Sequence, residues 1–130
     1  MPATQKTMDA RKTLAIAGAL IALATALGAF GAHALKAHLS QDNWAVYETA
    51  VRYHFIHALG LLAMGILLRS VDSSRLRWSA ILVLTGIVLF SGSLYLLTFG
   101  APRWLGVVTP VGGLALIAGW VLFAVTLWRP

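Results

Sequence analysis

The chain has 130 residues, 59% of them hydrophobic and only 11% charged, a net charge of +6 and no cysteine. About a quarter of globular residues are charged, so a soluble domain is excluded, and the missing cysteine rules out disulfides, thiolate metal sites and iron–sulfur clusters. The positive charge does not describe a nucleic-acid binder either, because the basic residues stand at the ends of apolar runs with no aromatic-interleaved patch among them.

Four runs lack Asp, Glu, Lys and Arg: 13–35, 53–68, 78–102 and 104–128. A bilayer core about 30 Å thick takes roughly 20 apolar residues of helix to cross, and lipid cannot satisfy a bare peptide group. The expected fold is all-α: a polytopic membrane protein built as a four-helix transmembrane bundle. Its helices should cover about 13–35, 42–69, 77–99 and 104–128, in one domain 13–130 behind a polar, frayed tail 1–12.

The first run follows a basic leader of Lys6, Arg11 and Lys12 and contains the small-x-small sequence Ala32-His33-Ala34. That resembles a cleaved signal. Its apolar stretch, however, exceeds the roughly 7–15 residues of a signal core, which favours a retained helix. The link 36–52 has a pattern of its own: Trp44, Tyr47 and Val51 recur at helical spacing, and Glu48 and Arg52 form an i,i+4 pair. A short interfacial helix should therefore run straight into the second crossing. The uncharged part of that crossing is only about 24 Å long, so Arg52 belongs near the headgroups, snorkelling or held by Glu48.

The third crossing should stop at Gly100, with Pro102 just beyond. Two starts are open for the fourth. Pro110 is either a kink in a helix beginning at Trp104, or its first residue behind a Thr109 cap. Orientation follows from charge: with both termini cytoplasmic, Lys6, Arg11, Lys12, Arg69, Arg75, Arg77 and Arg129 lie inside against Lys36, Arg52 and Arg103 outside. Trp78 and Trp128 then mark the inner interface, Trp44 and Trp104 the outer, and Trp120 lies deep.

At 100° per residue, Ala15, Gly18, Ala22, Ala26, Ala29 and His33 share one side of helix 1, a row of small residues expected to face the bundle. On helix 2, Tyr53, His57, Gly60 and Met64 share the expected inner face; on helix 3, Ser91, Tyr95 and Thr98 align. Counting from the inner ends puts His57 at about 16 Å, Ser91 at about 20 Å, and Tyr95, Thr109 and His33 at about 26, 28 and 30 Å. Two tiers are expected, His57 with Ser91 and, above them, His33 with Tyr95 and Thr109.

Four histidines in such a bundle suggest a metal or haem. Yet His33 and His57 differ in height by about 14 Å, and metal–nitrogen bonds are about 2 Å long. His54 and His57, at i,i+3, lack a third ligand. No metal or cofactor is expected, His38 reads as an exposed loop residue, and the inward histidines should bond across helices. Pro110 with Gly112 and Gly113 suits either a broken transport helix or ordinary capping and close packing, which is favoured.

The runs Gly28-Ala29-Phe30-Gly31-Ala32-His33, Phe90-Ser91-Gly92-Ser93-Leu94-Tyr95 and Thr109-Pro110-Val111-Gly112-Gly113, with the Tyr53-to-His57 spacing, resemble the YgdD-like family of small membrane proteins. That family is a domain of unknown function, found in bacteria with eukaryotic relatives. The resemblance spans nearly everything after Lys12; His38 and His54 stand outside its pattern. It implies a bacterial inner-membrane location and no assigned activity. The candidate polar cluster is thus His33, Tyr53, His57, Ser91, Ser93, Tyr95 and Thr109. The candidate packing or kink positions are Gly28, Gly31, Gly92, Pro110, Gly112 and Gly113. The expected function is non-catalytic contact with the bilayer and with an unidentified membrane protein or a second copy. The alternative is a small transporter or cofactor carrier.

Overall fold

The computed structural model describes residues 8–129, so Lys6 and the rest of the leader 1–7 lie outside the described residues. Four helices are long and apolar enough to span a membrane. They are α1, Ala10–Phe30, continued by a wide π-type turn Gly31–Leu35; α2, Gln41–Leu67; α3, Ser74–Thr98; and α4, Val108–Trp128, entered through a 3-10 turn Arg103–Val107. The chain is an all-helical, multi-pass membrane protein.

Three helices start earlier than the charge-free runs, and each start has a cap. Asp9 accepts from the Lys12 N–H at 2.8 Å, Ser40 from Asn43 at 3.1 Å, and Ser73 from Leu76 at 3.2 Å. A side-chain oxygen there satisfies one of the donors that the first turn leaves bare. The tail therefore yields its last residues to α1, and Met8 is buried against the core. Charged residues do not end these helices, because at helix ends their side chains reach water. At the same end Arg77 pairs with Asp72 at 2.7 Å.

The stop at Gly100 is a Schellman motif. Ala101 N–H bonds to the Leu96 carbonyl at 3.0 Å and Gly100 N–H to Leu97 at 3.3 Å. Gly100 takes φ of 91°, where an L side chain would be strained. Of the two expected starts, the one near Trp104 is close to what is observed: the helical span runs from Arg103, as a 3-10 turn to Val107 and as α-helix from Val108, with Pro110 third in the α-helical part. The first turn's N–H groups have no partners within the helix, so a proline costs no bond there and makes no kink.

Sequential helices are neighbours: α1 packs on α2, α2 on α3 and α3 on α4. A core of Ala17, Leu61, Met64, Ala80, Val83, Ile87 and Leu116 runs through all four, with Ile16 and Leu20 of α1 and Trp120 and Phe123 of α4 packed against it. The closest seam is α3 on α4. Gly112 lies against the Phe90 backbone, Gly86 against Leu116, and Gly119 against Ser79 and Val83. Small residues are what let membrane helices approach to backbone contact.

The face of α1 that packs is not the expected one. Ala15, Gly18, Ala22, Ala26, Ala29 and His33 are all exposed. The packed row of α1 is Thr13, Ala17, Ala24 and Gly31, flanked by half-buried Leu20 and Leu27. Helix 1 is so rich in alanine that it offers two small rows, and residue size does not say which one its neighbour takes.

Candidate functional site

The polar side chains gather toward the end of the bundle opposite the described termini, in three separate arrangements. The first joins α1, α2 and α3. Tyr47, His54 and Ala50 share the buried face of α2. The Tyr47 hydroxyl donates to the Leu27 carbonyl. That carbonyl already shares the Gly31 N–H with Gly28 as the helix widens into its π-type turn. The Tyr47 ring lies against Gly31, where any side chain would collide with it. It also stacks on Trp44, with centroids 5.8 Å apart, and meets Tyr95 edge-on at 5.7 Å.

His54, only 2% exposed, has Nδ1 2.8 Å from the Tyr95 hydroxyl. Its Nε2 is buried without a hydrogen-bond partner. Ser91 donates to the Ala50 carbonyl at 2.8 Å. The second arrangement is one bond, Ser93 to Thr109 at 2.6 Å, between α3 and the first turn of α4.

The third joins α2 to α4. The Trp120 indole N–H donates to His57 Nδ1 at 3.0 Å. Trp120 covers Gly60, whose missing side chain makes the room. Tyr53 lies one turn along from His57, with ring centroids 5.8 Å apart, and 4.8 Å from Phe90. These residues line an open groove of about 500 Å³ between α2, α3 and α4.

The expected tiers do not form. Ser91 bonds to α2 backbone and His57 to Trp120, so those two are not paired. Tyr95 meets His54 and Thr109 meets Ser93. His33 is exposed on the π-type turn and has no hydrogen-bond partner among the described residues. Glu48 and Arg52 are both exposed and form no ion pair among the described residues. His54 and His57 turn to different neighbours, and among the described residues no three His, Asp or Glu side chains converge as ligands.

Among the glycines, Gly28 just touches Val51 at 3.4 Å, Gly113 makes ordinary contact with Phe90, and Gly92 has open space around it. Close packing therefore requires Gly31 and Gly112 but not Gly92. Sequence reasoning missed Tyr47, His54 and the role of Trp120. A signal was present: Tyr47, Ala50, His54, Ala58, Leu61 and Gly65 recur at steps of three and four, a second helical stripe whose alanines and glycine suit contact.

A family model described as "Protein of unknown function (DUF423)" matches residues 27–113. The chain belongs to this family. It is 39% identical over 100 residues to the UPF0382 inner membrane protein YgdD of Escherichia coli strain K12, covering 77% of this chain and 76% of the relative. It is 41% identical to the UPF0382 membrane protein YwdK of Bacillus subtilis, covering 88% and 94%. With the UPF0382 membrane protein SSP2132 of Staphylococcus saprophyticus the identity is 44%, covering 88% and 95%. No solved structure matches. The chain is thus a DUF423 protein of the bacterial inner, or plasma, membrane, as its resemblance to the YgdD-like family implied.

Proposed function

We propose that this DUF423 protein acts without catalysis, through contacts of α1 with a transmembrane helix of another membrane protein or of a second copy. The observation that carries this reading is the outward row Ala15, Gly18, Ala22, Ala26 and Ala29, all exposed. The bundle leaves that row unused, although small residues at this spacing are what membrane helices use to approach one another. The interior supports the reading from the other side. Tyr47, Ser91, Ser93 and Tyr95 hold helix to helix, and among the described residues no nucleophile stands beside a base and an acid.

A cysteine placed at Ala22 or Ala26 and cross-linked in native membranes is expected to yield a discrete adduct, either a dimer or a heterologous pair. If both positions stay monomeric while the protein is folded, this reading falls. A stoichiometric haem band or metal in the purified protein would replace it with the cofactor-carrier reading.

The same proposal sets both termini in the cytoplasm, because seven basic residues flank that side against three on the other. Reporter fusions should show the link 71–77 and the C-terminus inside and the link 36–40 outside. A link 71–77 reporting outside reverses the orientation.

A further inference from the structure

His57 holds its two ring nitrogens in different surroundings. Nδ1 accepts from the Trp120 indole, and an indole N–H can only donate. The neutral ring therefore carries its proton on Nε2. That Nε2–H has no hydrogen-bond partner among the described residues, and it is not buried. His57 lines the groove of about 500 Å³ with Tyr53, Phe90, Gly113, Ile117 and Trp120. The size falls within the range of about 300–1,000 Å³ usual for small-molecule sites. The Tyr53 hydroxyl, one turn along, is likewise without a partner among the described residues.

Depth decides which ligand can meet this donor. His57 stands ten residues along α2 from Leu67, about 15 Å, near the middle of a hydrocarbon layer about 30 Å thick. A bare N–H is costly there, because the hydrocarbon holds no water and lipid tails have no acceptor. Phospholipid ester carbonyls do not supply the acceptor, since they lie in the interfacial layers outside the hydrocarbon. What can supply it is a molecule that dissolves in the hydrocarbon and brings its own carbonyl. The walls add a second requirement: Tyr53, Phe90, His57 and Trp120 present rings, which favour a flat partner.

We propose that this groove binds a membrane-soluble carbonyl compound with a flat ring and an apolar tail, the chemistry of an isoprenoid quinone. One ring carbonyl accepts from His57 Nε2–H, the ring lies along Tyr53 and Phe90, and the tail passes Ile117 into the lipid. The groove lies between α2, α3 and α4, away from the small row of α1. The site therefore stands or falls independently of the helix-contact reading above.

The test uses the full chain in quinone-free phosphatidylcholine nanodiscs, titrated with decylubiquinone. Tryptophan quenching reports occupancy, and the ¹⁵N resonance of His57 Nε2–H reports the hydrogen bond. Saturable quenching with a shift of that resonance is expected, and decylbenzene, which lacks the carbonyl, should not compete. His57→Leu should weaken binding about tenfold, the weight of one hydrogen bond. Because that change also strands the Trp120 N–H, Gly113→Leu provides the second variant. A side chain at Gly113 starts in ordinary contact with Phe90, at 3.7 Å, and occupies the groove while leaving both His57 and Trp120 in the sequence. It should abolish saturation while the protein stays folded. Quenching that rises linearly with quinone content, or that is unchanged in Gly113→Leu, overturns the proposal. So does disulfide formation between copies carrying Ile117→Cys, which would make a second copy the occupant.

Discussion

Gly112→Ala should destabilise the protein by about 1–3 kcal/mol, while Gly92→Ala, twenty residues earlier, should leave it unchanged or add about 0.5–1 kcal/mol. The two glycines differ only in what surrounds them. A Cβ on Gly112 would come within 2.8 Å of both the Leu89 carbonyl carbon and the Phe90 Cα, and closer still to the Phe90 nitrogen. Those atoms are α3 backbone, which cannot swing aside as a side-chain tip can. The helices must then separate, and the contacts of Gly86 and Gly119 along the same seam loosen with them. At Gly92 a Cβ would meet nothing within 4 Å, so the alanine there gains only helix propensity. Unfolding by SDS titration in mixed micelles measures both. If Gly112→Ala proves as stable as the parent, the seam is not built on backbone contact.

The second large effect concerns His54. Tyr95→Phe should cost about 1–2 kcal/mol in the same assay, because it removes the partner of a ring nitrogen that water cannot reach. With Nε2 already unbonded, the imidazole would be left with no hydrogen bond at either nitrogen. His54→Leu with Tyr95→Phe should then be less damaging than the sum of the two single changes, since replacing both partners by apolar groups removes the stranded donor and acceptor together. Strict additivity would mean that the 2.8 Å contact contributes nothing. Ser91→Ala is the natural comparison. Its loss frees a carbonyl already engaged in the α2 ladder, so its cost should be smaller.

How far these features were legible in the sequence depends on which solvent shaped them. The spans were legible because hydrocarbon imposes one requirement on every residue of a run, and four runs met it. The end of α3 was legible because Gly100 and Pro102 are local signals. Faces were harder. In water an amphipathic period points inward, but lipid is as apolar as a core, so α1 carries no such period. Its outward row of Ala15 to Ala29 is as small as its packed row of Ala17, Ala24 and Gly31. Height along each axis was estimated well enough to place the polar groups toward one end. Pairing depends on rotation, however, and an error of one face on α2 exchanged His54 for His57. Trp120 was seen as deep, but nothing local in α4 announces that its indole reaches across to α2.

The π-type turn at Gly31–Leu35 closes with a Lys36-to-Gly31 hydrogen bond of 2.9 Å, and in effect it is an α-helical turn with one residue too many. Removing any one residue from it would restore the ordinary ladder and rotate everything that follows by about 100°. The corner would then leave α1 on another side, and Tyr47 would no longer arrive beneath the Leu27 carbonyl. Substitutions among Ala32, His33 and Ala34 leave that rotation untouched, because all three side chains are exposed. At this corner an insertion or deletion in the gene matters more than a change of codon, and what is inherited there is a count of residues.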